Sequence, residues 1–133
     1  MRLSKKSEYA LLALVTLTKN YNSKLVTISD IAEENDIPQK FLEQILILLK
    51  QSGYVKSVRG PNGGYKLSKS PSEITTAEVF RSIDGPLASV VSVSLHFYEK
   101  SPIERCPKLK KLLKDIRDYA SQRLENTTLR DLI

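Results

Sequence analysis

The sequence predicts a mainly α fold with one small β-hairpin, an α+β class, on three observations. Apolar residues recur at helical spacing through residues 5–20, 38–51 and from Pro107 onward. Two short runs, Tyr54–Val58 and Gly64–Leu67, flank Arg59-Gly60-Pro61-Asn62-Gly63-Gly64, where three glycines and a proline in six residues make a tight hairpin tip. Sharp breaks at Asn35-Asp36, Gly53 and Asp84-Gly85-Pro86 separate these elements.

Taken in order, residues 5–20 predict a first helix whose apolar positions wrap more than half its circumference. Such a helix is buried on more than one side, which suits a core helix that also meets a partner subunit. Ser29 is the expected N-cap of a short helix, Asp30–Asn35, with Asp30, Glu33 and Glu34 in its early turns. After the Asn35-Asp36 break, Pro38 fits the first turn of the next helix. Two helices joined so tightly form a helix-turn-helix unit. Gly53 supplies the left-handed residue that ends the second helix. Ser68–Glu73 is a linker, and Thr75 with Glu78 forms a capping box for a helix over Thr76–Ile83. Residues 87–101 show no clear period. The final helix carries Leu109, Leu112, Leu113, Ile116, Tyr119, Ala120 and Leu124 on one side, a narrow stripe suited to pairing with a second copy of the chain. Thr127 or Thr128 is expected to cap a last short turn. The resulting organisation is a winged helix-turn-helix over residues 1–85, a loop or sensor region over 86–106, and a dimerisation helix with a C-terminal turn over 107–133.

Composition points to the partner. A chain of 133 residues, 41% hydrophobic and 27% charged, is one globular domain's worth. A net charge of +6 favours an anionic partner, nucleic acid before membrane. The excess lies in the first half: residues 1–67 hold ten Lys and Arg against six acids, residues 68–133 eleven against nine. The second helix of the helix-turn-helix sorts its residues by face, with Phe41, Leu42, Ile45, Leu46, Leu48 and Leu49 on one side. Gln39, Lys40, Glu43, Gln44, Lys50 and Gln51 take the other, with Ile47 among them. Amides, carboxylates and ammonium groups are what read base edges and phosphates, and Ile47 suits a thymine methyl as readily as plain exposure. Glycines at the hairpin tip (Gly60, Gly63) let backbone approach a DNA groove, with Asn62 beside them and Arg59 placed to enter a minor groove. The tip lacks the following helix and Lys-Ser/Thr of a nucleotide-binding loop. One His and one Cys leave little acid–base apparatus, so an enzyme is not expected. The apolar run Tyr9–Thr18 is too short to span a bilayer and has no cleavage site after it; no membrane association is expected, and the cytoplasm is the expected location. A protein-binding wing is the competing class, and steep salt dependence of binding separates DNA from protein.

Five segments carry a resemblance to a known family: Met1-Arg2-Leu3-Ser4, Glu8-Tyr9-Ala10-Leu11, Phe41-Leu42-Glu43-Gln44, Val58 through Tyr65 (VRGPNGGY), and Thr127-Thr128-Leu129-Arg130-Asp131-Leu132. Together they resemble the Rrf-two-type winged-helix regulators, the family of IscR, NsrR and CymR, over essentially the whole chain. The resemblance implies a homodimer paired through the long helix and bound to double-stranded DNA at a partly palindromic operator, with repression as the expected outcome. It implies DNA contacts from Glu43, Gln44 and Arg59; Lys40 stands where relatives often have serine.

Many members of that family hold an iron–sulfur cluster on three closely spaced cysteines. Here only Cys106 remains, near the third position, while Ser94 and Lys100 stand roughly where the family's spacing puts the other two. Glu8 matches a position that ligates the cluster across the dimer in some members, and His96 offers a nitrogen. A cluster takes four ligands, most often thiolates, so no cofactor is the expectation and a cluster the alternative. Cys106 as a redox-sensing thiol among Arg105, Lys108 and Lys110 at a helix start is a second reading, and a spectator cysteine a third. With no intrachain disulfide available, a reducing compartment suits it. Glu8 equally suits the first turn of its helix, and His96 plain packing. Redox, sulfur or iron status, a small-molecule effector or a regulatory protein are the candidate signals.

Overall fold

The computed structural model describes residues 2–87 and 101–133. Helix α1 (Lys5–Lys19) is capped by Ser4, whose hydroxyl accepts from the Ser7 amide. Ala10, Ala13, Leu14 and Leu17 are fully buried, and Leu11, Leu12 and Val15 are half-buried on the flank, so the expected wide apolar wrap is present.

Helix α2 (Ile28–Asn35) starts earlier than the sequence predicts, because the cap is Thr27 and not Ser29. The Thr27 hydroxyl accepts from the Asp30 amide at 3.1 Å, while Ser29, now inside the helix, points its hydroxyl toward Gln39. Either hydroxyl suits a cap; the register is set by Ile31, which must enter the core, and by Val26, held in a strand bridge immediately before. Asp36 takes the left-handed conformation and ends α2. Helix α3 (Gln39–Gln51) follows, with Pro38 at the capping position, one residue outside the first turn where the sequence places it. Leu42, Ile45, Leu46 and Leu49 are all 0% exposed and bind α3 to the core.

Gly53 (φ 84°) turns the chain into β1 (Val55–Val58), which starts one residue after the predicted Tyr54 and pairs antiparallel with β2 (Gly64–Leu67). Val26 bridges to the other edge of β2, exchanging two backbone hydrogen bonds with Tyr65 at 2.8 and 3.0 Å. Tyr54 lies under the Lys69 ammonium, which also reaches Glu78 at 3.6 Å, so the base of the hairpin is tied to helix α4 (Thr76–Asp84). The Thr75–Glu78 capping box is present, and α4 runs one residue beyond the predicted Ile83, with Gly85 as its C-cap.

Asp84, at the end of α4, grips the start of α1. It accepts from the Ser4 hydroxyl (2.6 Å), the Ser4 amide (2.9 Å) and the Ser7 hydroxyl (2.5 Å). Partial burial alone raises this carboxyl, but the Ser4 and Ser7 hydrogen bonds and the Lys6 charge outweigh it and hold Asp84 below the ordinary aspartate range. A lowered folded pKa contributes stability above the unfolded value, lost as pH falls through the folded one. Asp84→Asn is therefore expected to cost about 1–2 kcal/mol at pH 7. In urea unfolding the difference from wild type should shrink as pH falls below the ordinary aspartate range and the carboxylate is protonated; a constant gap would mean the charge is irrelevant.

Helix α5 (Pro107–Glu125) has no fully buried residue. Its stripe divides: Leu113, Ala120 and Leu124 are half-buried on the side where Leu124 packs against Ala77, Phe80 and Leu87 of the α4 region, while Leu109, Leu112, Ile116 and Tyr119 are exposed. Beyond α5 the chain returns to the main core. The Leu129 amide donates to the Ile74 carbonyl at 3.0 Å and its side chain is 0% exposed. In the last turn it is Thr128, through its amide and hydroxyl, that bonds the Asp131 carboxylate. Thr127 instead donates its hydroxyl back to the Arg123 carbonyl of α5.

Candidate nucleic-acid interface

Every polar residue expected on the α3 surface is there: Gln39, Lys40, Glu43, Gln44, Lys50 and Gln51 are exposed, as is Ile47 at 57%. The opposite face is locked by four fully buried side chains, so the exposed groups ride on a rigid element. Among the described residues Lys40, Glu43 and Arg59 make no ion pair, leaving their charges for an external partner. Lys50 is different: its ammonium donates to the Ser57 hydroxyl at 2.7 Å and fastens α3 to β1. Ser57 carries no signal in the sequence that would mark it for this role.

The hairpin tip closes through the Gly63 amide, which donates to the Gly60 carbonyl at 3.0 Å. A Cβ on Gly63 would lie 2.1 Å from the Val58 carbonyl oxygen, so only glycine permits this turn. Arg59, Gly60 and Asn62 are exposed around it. The exposed face of α3 and the hairpin are thus fastened together at Lys50–Ser57, and from Lys40 to Lys66 they carry Lys40, Lys50, Lys56, Arg59 and Lys66 against one acid, Glu43.

The candidate sensor residues are not gathered into one place. Cys106 is exposed and immediately precedes α5, and the nearby Lys110 ammonium is engaged by Glu104 at 2.6 Å. Glu8 occupies the first turn of α1, and His96, with Ser94 and Lys100, lies outside the described residues. No group of three His, Cys, Asp or Glu side chains positioned for a metal occurs among the described residues. One thiol per chain does not fit the mainly thiolate ligand set of an iron–sulfur cluster.

An apolar groove of about 500 Å³ runs along α1, lined by Leu3, Leu11, Leu12, Val15, Phe80 and Leu132, with Glu8 among its walls. No helix among the described residues is long and apolar enough to cross a membrane.

Residues 3–133 match the family described as Rrf2, iron-dependent transcriptional regulator. The HTH-type transcriptional regulator CymR of Bacillus subtilis is 33% identical over 132 residues, covering 99% of this chain and 89% of that one. The solved structure of CymR, described as the global cysteine regulator of B. subtilis, superposes with a TM-score of 0.87 at 32% identity, covering 99% and 95% of the two chains. The HTH-type transcriptional regulator IscR of Escherichia coli O1:K1 / APEC is 40% identical over 84 residues, 63% of this chain and 52% of that protein. These are regulators and not enzymes, and the chain belongs to the Rrf2 family of DNA-binding, winged helix-turn-helix transcriptional regulators.

Proposed function

We propose that this regulator works as a homodimeric repressor, in the cytoplasm, on a partly palindromic operator. The observation that carries this reading is the pairing of two unsatisfied surfaces. Leu109, Leu112, Ile116 and Tyr119 form an exposed apolar ridge on α5, and the α1 groove offers apolar walls. Docked reciprocally, ridge into the partner's groove and groove around the partner's ridge, they satisfy each other twice in an isologous dimer. Two α3 helices related by that axis then face two inverted half-sites. Selection of bound duplexes from a random pool tests this: inverted half-sites should be enriched, and a single unpaired half-site would overturn the dimeric reading.

Sulfur or redox status is the signal the features favour, and no resident cofactor is needed for it. The similarity to CymR, the global cysteine regulator of B. subtilis, points to sulfur, and the exposed Cys106 at the head of α5 is the chain's one thiol for such chemistry. Treating the protein with peroxide is expected to weaken operator binding, and Cys106→Ala to abolish that response while leaving untreated binding intact. An unchanged response in the variant moves the signal to a small-molecule effector or a regulatory protein. An iron-dependent visible absorbance near ~400 nm in anaerobically purified protein would instead establish a cluster.

A further inference from the structure

A second basic surface lies away from α3. Side chains alternate along the hairpin, and Val55 and Leu67 are buried while Ser57 reaches the α3 lysine, so that face is turned to the core and recognition helix. Lys56 and Lys66 occupy the other face. They are direct cross-strand partners, both exposed, in a register that sets like charges side by side. Such a pair is destabilising by itself. A third ammonium, Lys24, comes from the loop between α1 and α2, and the three line a cleft of about 350 Å³ together with Asn20, Asn22 and Ser23. No carboxylate lines it, and none of the three lysines forms an ion pair among the described residues. Asn22 holds a positive φ of 60° within the loop that contributes these polar side chains to the cleft.

The Asn20 side-chain amide donates to the Thr16 carbonyl at 2.9 Å, so the cleft's seat for a phosphate oxyanion is three ammonium groups without ion pairs, with Asn22 and Ser23 beside them. We propose that the cleft takes a backbone phosphate of the DNA flanking the half-site, on the side of the wing away from α3; this rests on the reading that the wing enters a minor groove. The spacing fits. Lys56 stands three residues from Arg59, about 10 Å along a strand, so when the tip is in a minor groove roughly 7.5 Å deep the lysine pair stands at its lip, level with the phosphates. The contact lengthens the footprint outward and adds affinity without reading sequence.

The test uses the full-length protein and two duplexes, one trimmed to the selected half-sites and one extended by about ten base pairs on each flank, one further turn of duplex. Lys56→Ala with Lys66→Ala, and separately Lys24→Ala, are compared with wild type across salt concentrations, with Lys56→Arg plus Lys66→Arg as the charge-preserving control. On the extended duplex the alanine variants should bind more weakly. The slope of log affinity against log salt should become shallower by about 0.9 for each phosphate that is no longer neutralised. The weakening should be equal for matched and scrambled sequences, absent on the trimmed duplex and reversed by arginine. Alanine variants that equal a DNA-binding wild type on the extended duplex would overturn the cleft assignment alone. A wild type with no salt-dependent DNA binding would overturn the regulator reading and the cleft with it. Inorganic phosphate titrated into DNA-free protein separates the remaining source. Lysine-dependent saturation below about 1 mM, with no effect of the variants on DNA, would assign the cleft to a free anion (that affinity corresponds to roughly −4 kcal/mol) and overturn the DNA role.

Discussion

Replacing both Leu112 and Ile116 by lysine should leave a folded protomer that no longer dimerises and no longer holds its operator. The protomer survives because the two side chains are 55% and 49% exposed and contribute little to its own core; surface changes of this kind stay within about 0.5 kcal/mol. The dimer does not survive. With about half of each side chain left to bury, each contributes on the order of 1 kcal/mol at the interface, and an isologous interface loses each one twice. Four unpaired ammonium groups facing apolar walls add desolvation cost. DNA affinity falls with the dimer, because two linked half-site contacts exceed one by roughly 10²–10⁴-fold. Sedimentation velocity at micromolar protein, thermal melting by circular dichroism and operator titration check the three parts. An intact dimer would remove the α5 ridge from the interface. Leu124 gives the contrast: it packs within the protomer against Ala77, Phe80 and Leu87, so Leu124→Lys should lower the melting temperature.

The elements readable from the sequence are those built from local rules. The periodicity of α1, α3 and α5, the glycine tip, the Gly53 stop and the Thr75–Glu78 box depend on residues within a few positions of one another, and all stand where the local chemistry puts them. What escaped is set by distant partners. Thr27 caps α2 in place of Ser29 because Val26 is already fixed by Tyr65, far along the chain in β2. Leu129 shares the tail with Leu132 and Ile133, and nothing local marks it, rather than the two that stay exposed, as the residue that completes the core beside Ile74. The apolar stripe of α5 is visible as a stripe; its division between α4 and solvent depends on where α4 lies. On the surface proposed to face DNA, α3 and the wing tip are identifiable by residue type and face, whereas the Lys50–Ser57 tie and the Lys24–Lys56–Lys66 cleft exist only once the hairpin is folded against its neighbours.

Arg59→Ala is expected to weaken operator binding by about 1–3 kcal/mol, roughly 5- to 150-fold, and to relax base preference at the wing-contacted positions. The size follows from what Arg59 is doing in the free protein. It is exposed, makes no ion pair among the described residues and sits at the base of a tip closed by the Gly63–Gly60 hydrogen bond, so its removal costs the fold nothing and the DNA a preplaced guanidinium. A guanidinium entering a minor groove senses groove width as well as charge, which is how a residue that touches few base atoms can still impose preference. Arg59→Lys separates the two contributions: it keeps the charge and loses the planar donor fork. Lysine should recover most of the salt-dependent affinity but little of the selectivity. If alanine left both affinity and selectivity unchanged, the wing would have no reading role and sequence discrimination would rest on α3 alone; if lysine restored both, Arg59 would be a phosphate contact of the same kind as the cleft lysines.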